Sequence, residues 1–486
     1  MYLLGFDLGT TGCKASIFNE GGELLGGAYR DCDLHIKSDK VIEQDADVWW
    51  KLFCQTVSES IKNAGIAAGE IGSVSISSQG ISFVPVDSDL NPLMNAICWL
   101  DSRAEAEADE MLATISQDEF FAITGKRAEV IYVLPKILWI RNNLPEIYKK
   151  TYKFLMAHDY IVARLTGKCL TDHTLASGTL LYDINKTAWS EEITGRFGIS
   201  TDLLPEIRWS GTPVEAIRKD VVKGLGLSEN LSVCIGAQDQ KAAARGVDLQ
   251  IDEACLSIGT AGAIEFIVGN PVIDEKKRLP CFTYAEQGLW VLEAVIGTAG
   301  AALKWLRDTL FPVADYKYLD DLCRQSAAGA NGLCFFPHLA GAGSPHWNSR
   351  SQGVFYGLTL NTSQSDIVRA VFEGIAFQFK ANTDVASELG VRTNILKIAG
   401  GGTKSKIWRE IISAISDISI TAYESSDMAC LGAAEFAASG AGVYSPAFSA
   451  NVLAKHEIIR PDKQMADKYR EIYGYYASVQ NSMLQI

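Results

Sequence analysis

The most constraining feature of this 486-residue chain is a short unit that occurs twice. Tyr2 to Leu8 reads as an apolar strand, Gly9-Thr10-Thr11-Gly12 as a turn and Lys14 to Phe18 as a second strand. The pattern returns as Cys255-Leu256-Ser257-Ile258, then Gly259-Thr260-Ala261-Gly262, then Ala263 to Val268. The turns open at residues 9 and 259, too long a period for a solenoid. We read two related halves, each opening with strand–turn–strand; the competing reading is chance recurrence of one hairpin. Elsewhere strands (Ile71 to Ser77, Ile81 to Val86, Leu231 to Ile235, Leu396 to Ala399) alternate with helical patterns (Ala104 to Ile115, Ile367 to Leu389, Ile407 to Ile415). Alternation of this kind predicts α/β domains. We expect the boundary within Arg245 to Asp252, dividing the chain into 1–247 and 248–486.

Charge and cysteine usage narrow the class. The chain carries 44 Lys+Arg against 58 Asp+Glu, a formal charge of −14, without the basic stripe that a nucleic-acid partner demands. A nucleotide stays open, because backbone N–H groups and a metal ion can hold it. The 11 cysteines form no C-x-x-C pair and read as free thiols in a reducing cytoplasm. The opening MYLLGFDLG does not read as a signal peptide, and the longest charge-free stretch, Gln325 to Ser349, is broken by Pro and Gly. No membrane partner is expected.

Three glycine runs and two carboxylates could carry chemistry. In Asp7-Leu8-Gly9-Thr10-Thr11-Gly12, turn N–H groups and hydroxyls can donate to a phosphate. Asp7 would repel that phosphate unless magnesium lay between them. Gly259-Thr260-Ala261-Gly262 offers a second donor set, and Gly400-Gly401-Gly402-Thr403 a third, between a strand and a helix. No P-loop, Rossmann fingerprint, H-E-x-x-H or G-x-S-x-G motif occurs. In Gly236-Ala237-Gln238-Asp239-Gln240-Lys241, Asp239 at a strand–helix junction could take a proton from a hydroxyl, or merely cap the helix.

Together these motifs resemble the FGGY family of carbohydrate kinases, nearest its xylulokinase-like members, over nearly the whole chain. Asp7, Thr10, Thr11 and Lys14 resemble its first phosphate motif, and Trp99-Leu100-Asp101-Ser102-Arg103 its W-x-D-x-R segment. Asp159-Tyr160, Leu165-Thr166-Gly167 and Thr171-Asp172 resemble a further stretch. Lys136 to Ile140 fits half of one family signature, from which Ile131 and Val133 depart, and Gly353 to Glu373 fits the other throughout. The resemblance implies two ribonuclease-H-like, actin-like ATPase domains flanking a catalytic cleft. It implies ATP against Gly259, Thr260, Gly300, Lys304, Gly401 and Gly402, with Asp239 as catalytic base and Asp7 helping to place magnesium. Both carboxylates are thus the implied metal contacts. The sugar would lie near Gln79, Gly80, Ile81, Asp101, Arg103, Asp239 and Gln240.

Departures blur the substrate. Xylulokinases carry Met-His, and glycerol kinases Arg-Glu, where this chain has Gly80-Ile81. Asp239-Gln240 and Gly341 to Trp347 look more like glycerol kinase. The resemblance implies ATP- and Mg²⁺-dependent phosphorylation of a terminal hydroxyl, with a ketopentose such as xylulose as the expected substrate. Glycerol, erythritol, ribulose or gluconate are alternatives, as is a non-catalytic sugar sensor. The expected partners are the sugar or polyol and ATP/ADP, with homodimer formation left open.

Overall fold

A computed structural model describes residues 1–400, 404–423, 427–445 and 447–483. Two sheets organise it. The first runs, edge to edge, Ser232–Gln238, Ile71–Ser78, Tyr2–Leu8, Gly12–Asn19 and Leu24–Asp31. Tyr2–Leu8 pairs antiparallel with Gly12–Asn19 and parallel with Ile71–Ser78, which is parallel to Ser232–Gln238. The second sheet repeats this order and sense around Glu253–Ile258. That strand is antiparallel to Gly262–Val268 and parallel to Ile395–Ala399, followed by Ser419–Tyr423. The repeated hairpin is thus the first two strands of two like sheets.

Burial explains both centres. Leu3, Leu4, Phe6 and Leu8 are fully buried, as are Ala254 and Leu256 at the matching place. A strand covered on both faces must be apolar on both, which is why neither segment alternates. The expected helices form as Glu105–Thr114, Gln364–Glu388 and Lys406–Ser416. The expected strand Ile81 to Val86 starts later, at Phe83, because Ile81 takes φ 56°. A β-branched residue there cannot sit in a regular strand.

The two halves interlock through a helix pair. Asp239–Gly246 crosses Met428–Gly440, and the latter lies on the first sheet although it comes late in the chain. Glycine permits the crossing: a Cβ at Gly432 would sit 1.9 Å from the Ala242 carbonyl oxygen, and one at Gly246 2.1 Å from that of Met428. Gly5 gives the same clearance to Cys430.

Candidate active site

The carboxyl ends of the two sheets face one cleft of about 340 Å³. Thr10, Gln79, Gly80, Ile81, Asp239 and Gln240 line it from the first half, and Gly259, Thr260 and Glu293 from the second. A cavity of this size is at the low end of the range for small-molecule sites, roughly 300–1,000 Å³.

Asp239 is the first residue of its helix, and its Oδ1 accepts from the Gln240 N–H at 2.8 Å. Gln238 occupies the cap position without a side-chain cap bond, so the helix-capping reading of Asp239 does not describe it. Burial first, then the charge of Asp7, pushes its carboxyl up to about 8. Asp7 accepts from Ser77 Oγ at 2.7 Å. Burial pushes its carboxyl up to about 6, against the pull of Ser77 and Lys14. Lys14 Nζ reaches Asp427 Oδ1 at 2.5 Å, tying the first hairpin to the second half. No group of three or more metal-binding side chains occurs among the described residues. Asp7 and Asp239 nevertheless fit magnesium, which one or two carboxylates hold together with substrate phosphates.

Buried supports fix the strand that presents Asp239. The Gly236 N–H donates to His158 Nε2 at 3.1 Å, so His158 Nδ1 carries the proton and donates to Asp159 Oδ1 at 3.0 Å. The Gln238 N–H donates to Thr174 Oγ1 at 2.8 Å, and Asp172 caps the short helix that carries Thr174. The Asp159 and Asp172 motifs therefore act behind the site.

A closed loop of hydrogen bonds joins the expected sugar and phosphate sides. The Trp99 N–H donates to Ser82 Oγ, and Ser82 Oγ to Gln79 Oε1, both at 3.0 Å. Gln79 Nε2 donates to Gln44 Oε1 at 2.8 Å, and Gln44 Nε2 to the Thr10 carbonyl at 2.9 Å. The Trp99 indole N–H closes the loop on Thr10 Oγ1 at 2.9 Å. One Gln79 amide hydrogen remains for a ligand. Gly80 leaves room for Gln238, whose Nε2 would lie 2.9 Å from an added Cβ. Ile81, strained at φ 56°, also lines the cleft.

Asp101 and Arg103 are not among the cleft-lining residues. Asp101 is fully buried and takes the Ile42 N–H at 2.7 Å and the Arg103 guanidinium at 2.8–3.0 Å. Arg103 also binds Glu43 Oε1 at 2.8 Å. This ion cluster engages both Asp101 oxygens and the Nε and Nη2 of Arg103. Lys136 Nζ grips the Cys98 and Trp99 carbonyls at 2.9 and 3.2 Å, placing the Trp99 ring instead.

The nucleotide-side glycines converge by sheet register. Ser257 pairs with Ala399, which sets Gly400 beside the end of the strand Glu253–Ile258. Gly400, at φ 91°, would clash through a Cβ with the Ile258 carbonyl at 2.7 Å, and Gly300 with that of Gly259 at 2.3 Å. The N–H groups of Ala299 and Ala301 both donate to the Thr260 carbonyl. Lys304 is exposed on the helix Gly300–Leu310, and Thr11 is exposed beside the first turn. Gly401 and Gly402 lie outside the described residues.

Sequence reasoning missed Trp99 as a wall in its own right, together with Tyr132, Gln238, Phe282, Glu293 and Trp347. Trp99, Gln238 and Trp347 stood inside motifs already singled out; Tyr132, Phe282 and Glu293 carried no local signal.

Comparison with known proteins agrees with this geometry. The family model "FGGY family of carbohydrate kinases, N-terminal domain" matches residues 2–246, and its C-terminal counterpart matches 254–441. The chain is 28% identical to xylulose kinase of Bacillus subtilis (strain 168) over 481 residues, 98% of this chain and 96% of that one. The ligand-bound xylulose kinase from Lactobacillus acidophilus superposes with TM-score 0.92 at 25% identity, covering 99% of this chain and 98% of that one. Gluconate kinase from the same organism superposes with TM-score 0.93 at 25% identity and the same coverage.

Proposed function

The chain belongs to the FGGY family of carbohydrate kinases, and from that premise we propose that it transfers the γ-phosphoryl group of ATP to a terminal hydroxyl of a ketopentose such as xylulose. The observation that carries this reading is Asp239, half-buried just after the strand Ser232–Gln238 and opening onto a cleft shared with Gly259 and Thr260. Asp239 takes the hydroxyl proton as the oxygen attacks phosphorus in line. The first half, 1–247, holds the sugar through Gln79, Gly80, Ile81 and Gln240, with Trp99 and Tyr132 as walls. Asp101 and Arg103 pair with each other, and the Arg103 guanidinium lies over the Trp139 ring at 4.9 Å.

The second half, 248–486, holds the nucleotide. Turn donors at Thr10, Thr11, Gly259 and Thr260, with Lys14 and Lys304, would bind its phosphates, and Gly300 would lie along it; Gly401 and Gly402, assigned the same role, are outside the described residues. Magnesium, when bound, lies at Asp7 and Asp239 and neutralises phosphate charge. A reducing, cytoplasmic setting suits the 11 cysteines, all free and mostly buried. No described helix is long and apolar enough to cross a membrane.

A coupled ADP assay over pentuloses, hexuloses, erythritol, glycerol and gluconate tests the reading. Turnover should be highest with a ketopentose. ADP release that no sugar or polyol stimulates would overturn it.

A further inference from the structure

The charges on the cleft wall carry an inference about substrate class that rests on the kinase reading above. Among the described residues lining the cleft, the acidic side chains are Asp239 and Glu293; no Lys, Arg or His lines it. Tyr132 remains a neutral phenol, because burial pushes its pKa up.

Glu293 lies on the strand Trp290–Ile296, directly opposite Glu265 on Gly262–Val268. Two like charges in that register repel. Lys241, fully buried two residues after Asp239, answers both. Its Nζ contacts Glu293 Oε2 and lies 3.1 Å from Glu265 Oε1. Glu293 Oε1 receives no hydrogen bond from the described residues, while its side chain borders the cleft.

The nearest cations are already engaged. Lys241 and Lys126 sit over the Phe282 ring at 4.1 and 3.8 Å, and Phe282 itself lines the cleft. Lys126 donates to the Cys281 and Thr124 carbonyls at 2.8 and 3.1 Å. A carboxylate entering this cleft would lose its hydration, meet Glu293 and find no lining cation. A hydroxyl entering the same space would find an acceptor in Glu293 Oε1.

We propose that Glu293 is a specificity residue: Lys241 fixes one carboxylate oxygen, the other accepts a substrate hydroxyl, and the cleft therefore takes uncharged sugars or polyols and rejects aldonates.

The test compares kcat/KM for D-xylulose, D-ribulose and glycerol with that for D-gluconate, using D-glucitol as the neutral six-carbon control. Wild-type protein should prefer its best neutral substrate over gluconate by at least about 100-fold. Glu293→Gln should narrow that ratio at least about tenfold, by raising KM for the neutral substrate and relieving the repulsion of gluconate. Should Glu293→Gln fail to fold, the triple variant Lys241→Met, Glu265→Gln and Glu293→Gln removes the three charges together and is measured in the same way. Wild-type turnover of gluconate that matches the best neutral substrate would overturn the proposal, as would a ratio unmoved by either variant. If gluconate is phosphorylated as well as the best neutral substrate and Asp239→Asn abolishes that, the kinase reading stands and the specificity falls. If no compound is phosphorylated, both fall.

Discussion

Asp7 and Asp239 share one buried electrostatic field across the strand between them. Asp7 is in register with Ser77, and Ser77 with Ala237, two residues before Asp239. Burial is the larger cause of the raised Asp239 carboxyl, and the Asp7 charge adds to it. An acid raised by burial and by a neighbouring carboxylate is poised to share a proton or a cation with it.

Asp239→Asn should lower kcat by about 10²–10⁴-fold, the usual worth of a positioned base. The amide has nearly the same shape but cannot take a proton. Isothermal titration with ADP should still give near wild-type affinity. Turnover within a few-fold of wild type would remove the base assignment.

The pH dependence of kcat/KM should show a limb near pH 8 that rises as Asp239 ionises in the free enzyme. Asp7→Asn removes the neighbouring negative charge, so the limb should move to lower pH even as the rate falls. Burial remains the larger cause, so the limb should stay above the ordinary carboxylate range. A limb that moves upward would contradict the coupling.

Stability without nucleotide or metal should fall as pH rises toward 8. Asp239 ionises near 3.8 when unfolded and near 8 when folded, so between these values the folded state holds the extra proton. Its stabilising share is complete below pH 3.8 and lost through pH 8. Asp7, raised to about 6, acts in the same direction. Thermal melts of Asp239→Asn should therefore exceed wild type at pH 8 and converge with it at acid pH.

Trp99→Phe keeps the ring but deletes the indole donor to Thr10. Loss of that hydrogen bond is worth roughly 0.5–1.5 kcal/mol. We expect KM for the sugar to rise about two- to tenfold, read from initial rates. Unchanged KM would show that the hydrogen-bonded loop does not position the sugar wall.

Gly432→Val places a side chain against the Ala242 carbonyl, 1.9 Å from the Cβ position. Backbone cannot swing aside, so urea unfolding should show a loss of about 1–3 kcal/mol or more. Gly474→Ala is the control, since an added Cβ meets nothing within 4 Å in the helix Lys463–Met483. It should be neutral or stabilising by about 0.5–1 kcal/mol.

Local features were legible where chemistry and turn geometry coincide. Gly9 to Gly12, Gly259 to Gly262 and Asp239 could be picked out because glycine runs and a carboxylate at a strand end have few other uses. Asp101 and Arg103 looked equally polar in sequence, yet each serves as the other's partner. Nothing local distinguishes a charge aimed at a cleft from one neutralised inside a wall.

By itself the sequence determined the two-fold repeat, the α/β class and the kinase family, because strand pattern, turn glycines and motif spacing are local properties. Only tertiary structure brought Lys241, Glu265 and Glu293 together, laid Met428–Gly440 on the first sheet and set Asp7 against Asp239. Those relations depend on sheet register and helix crossing, which arise from packing between segments hundreds of residues apart.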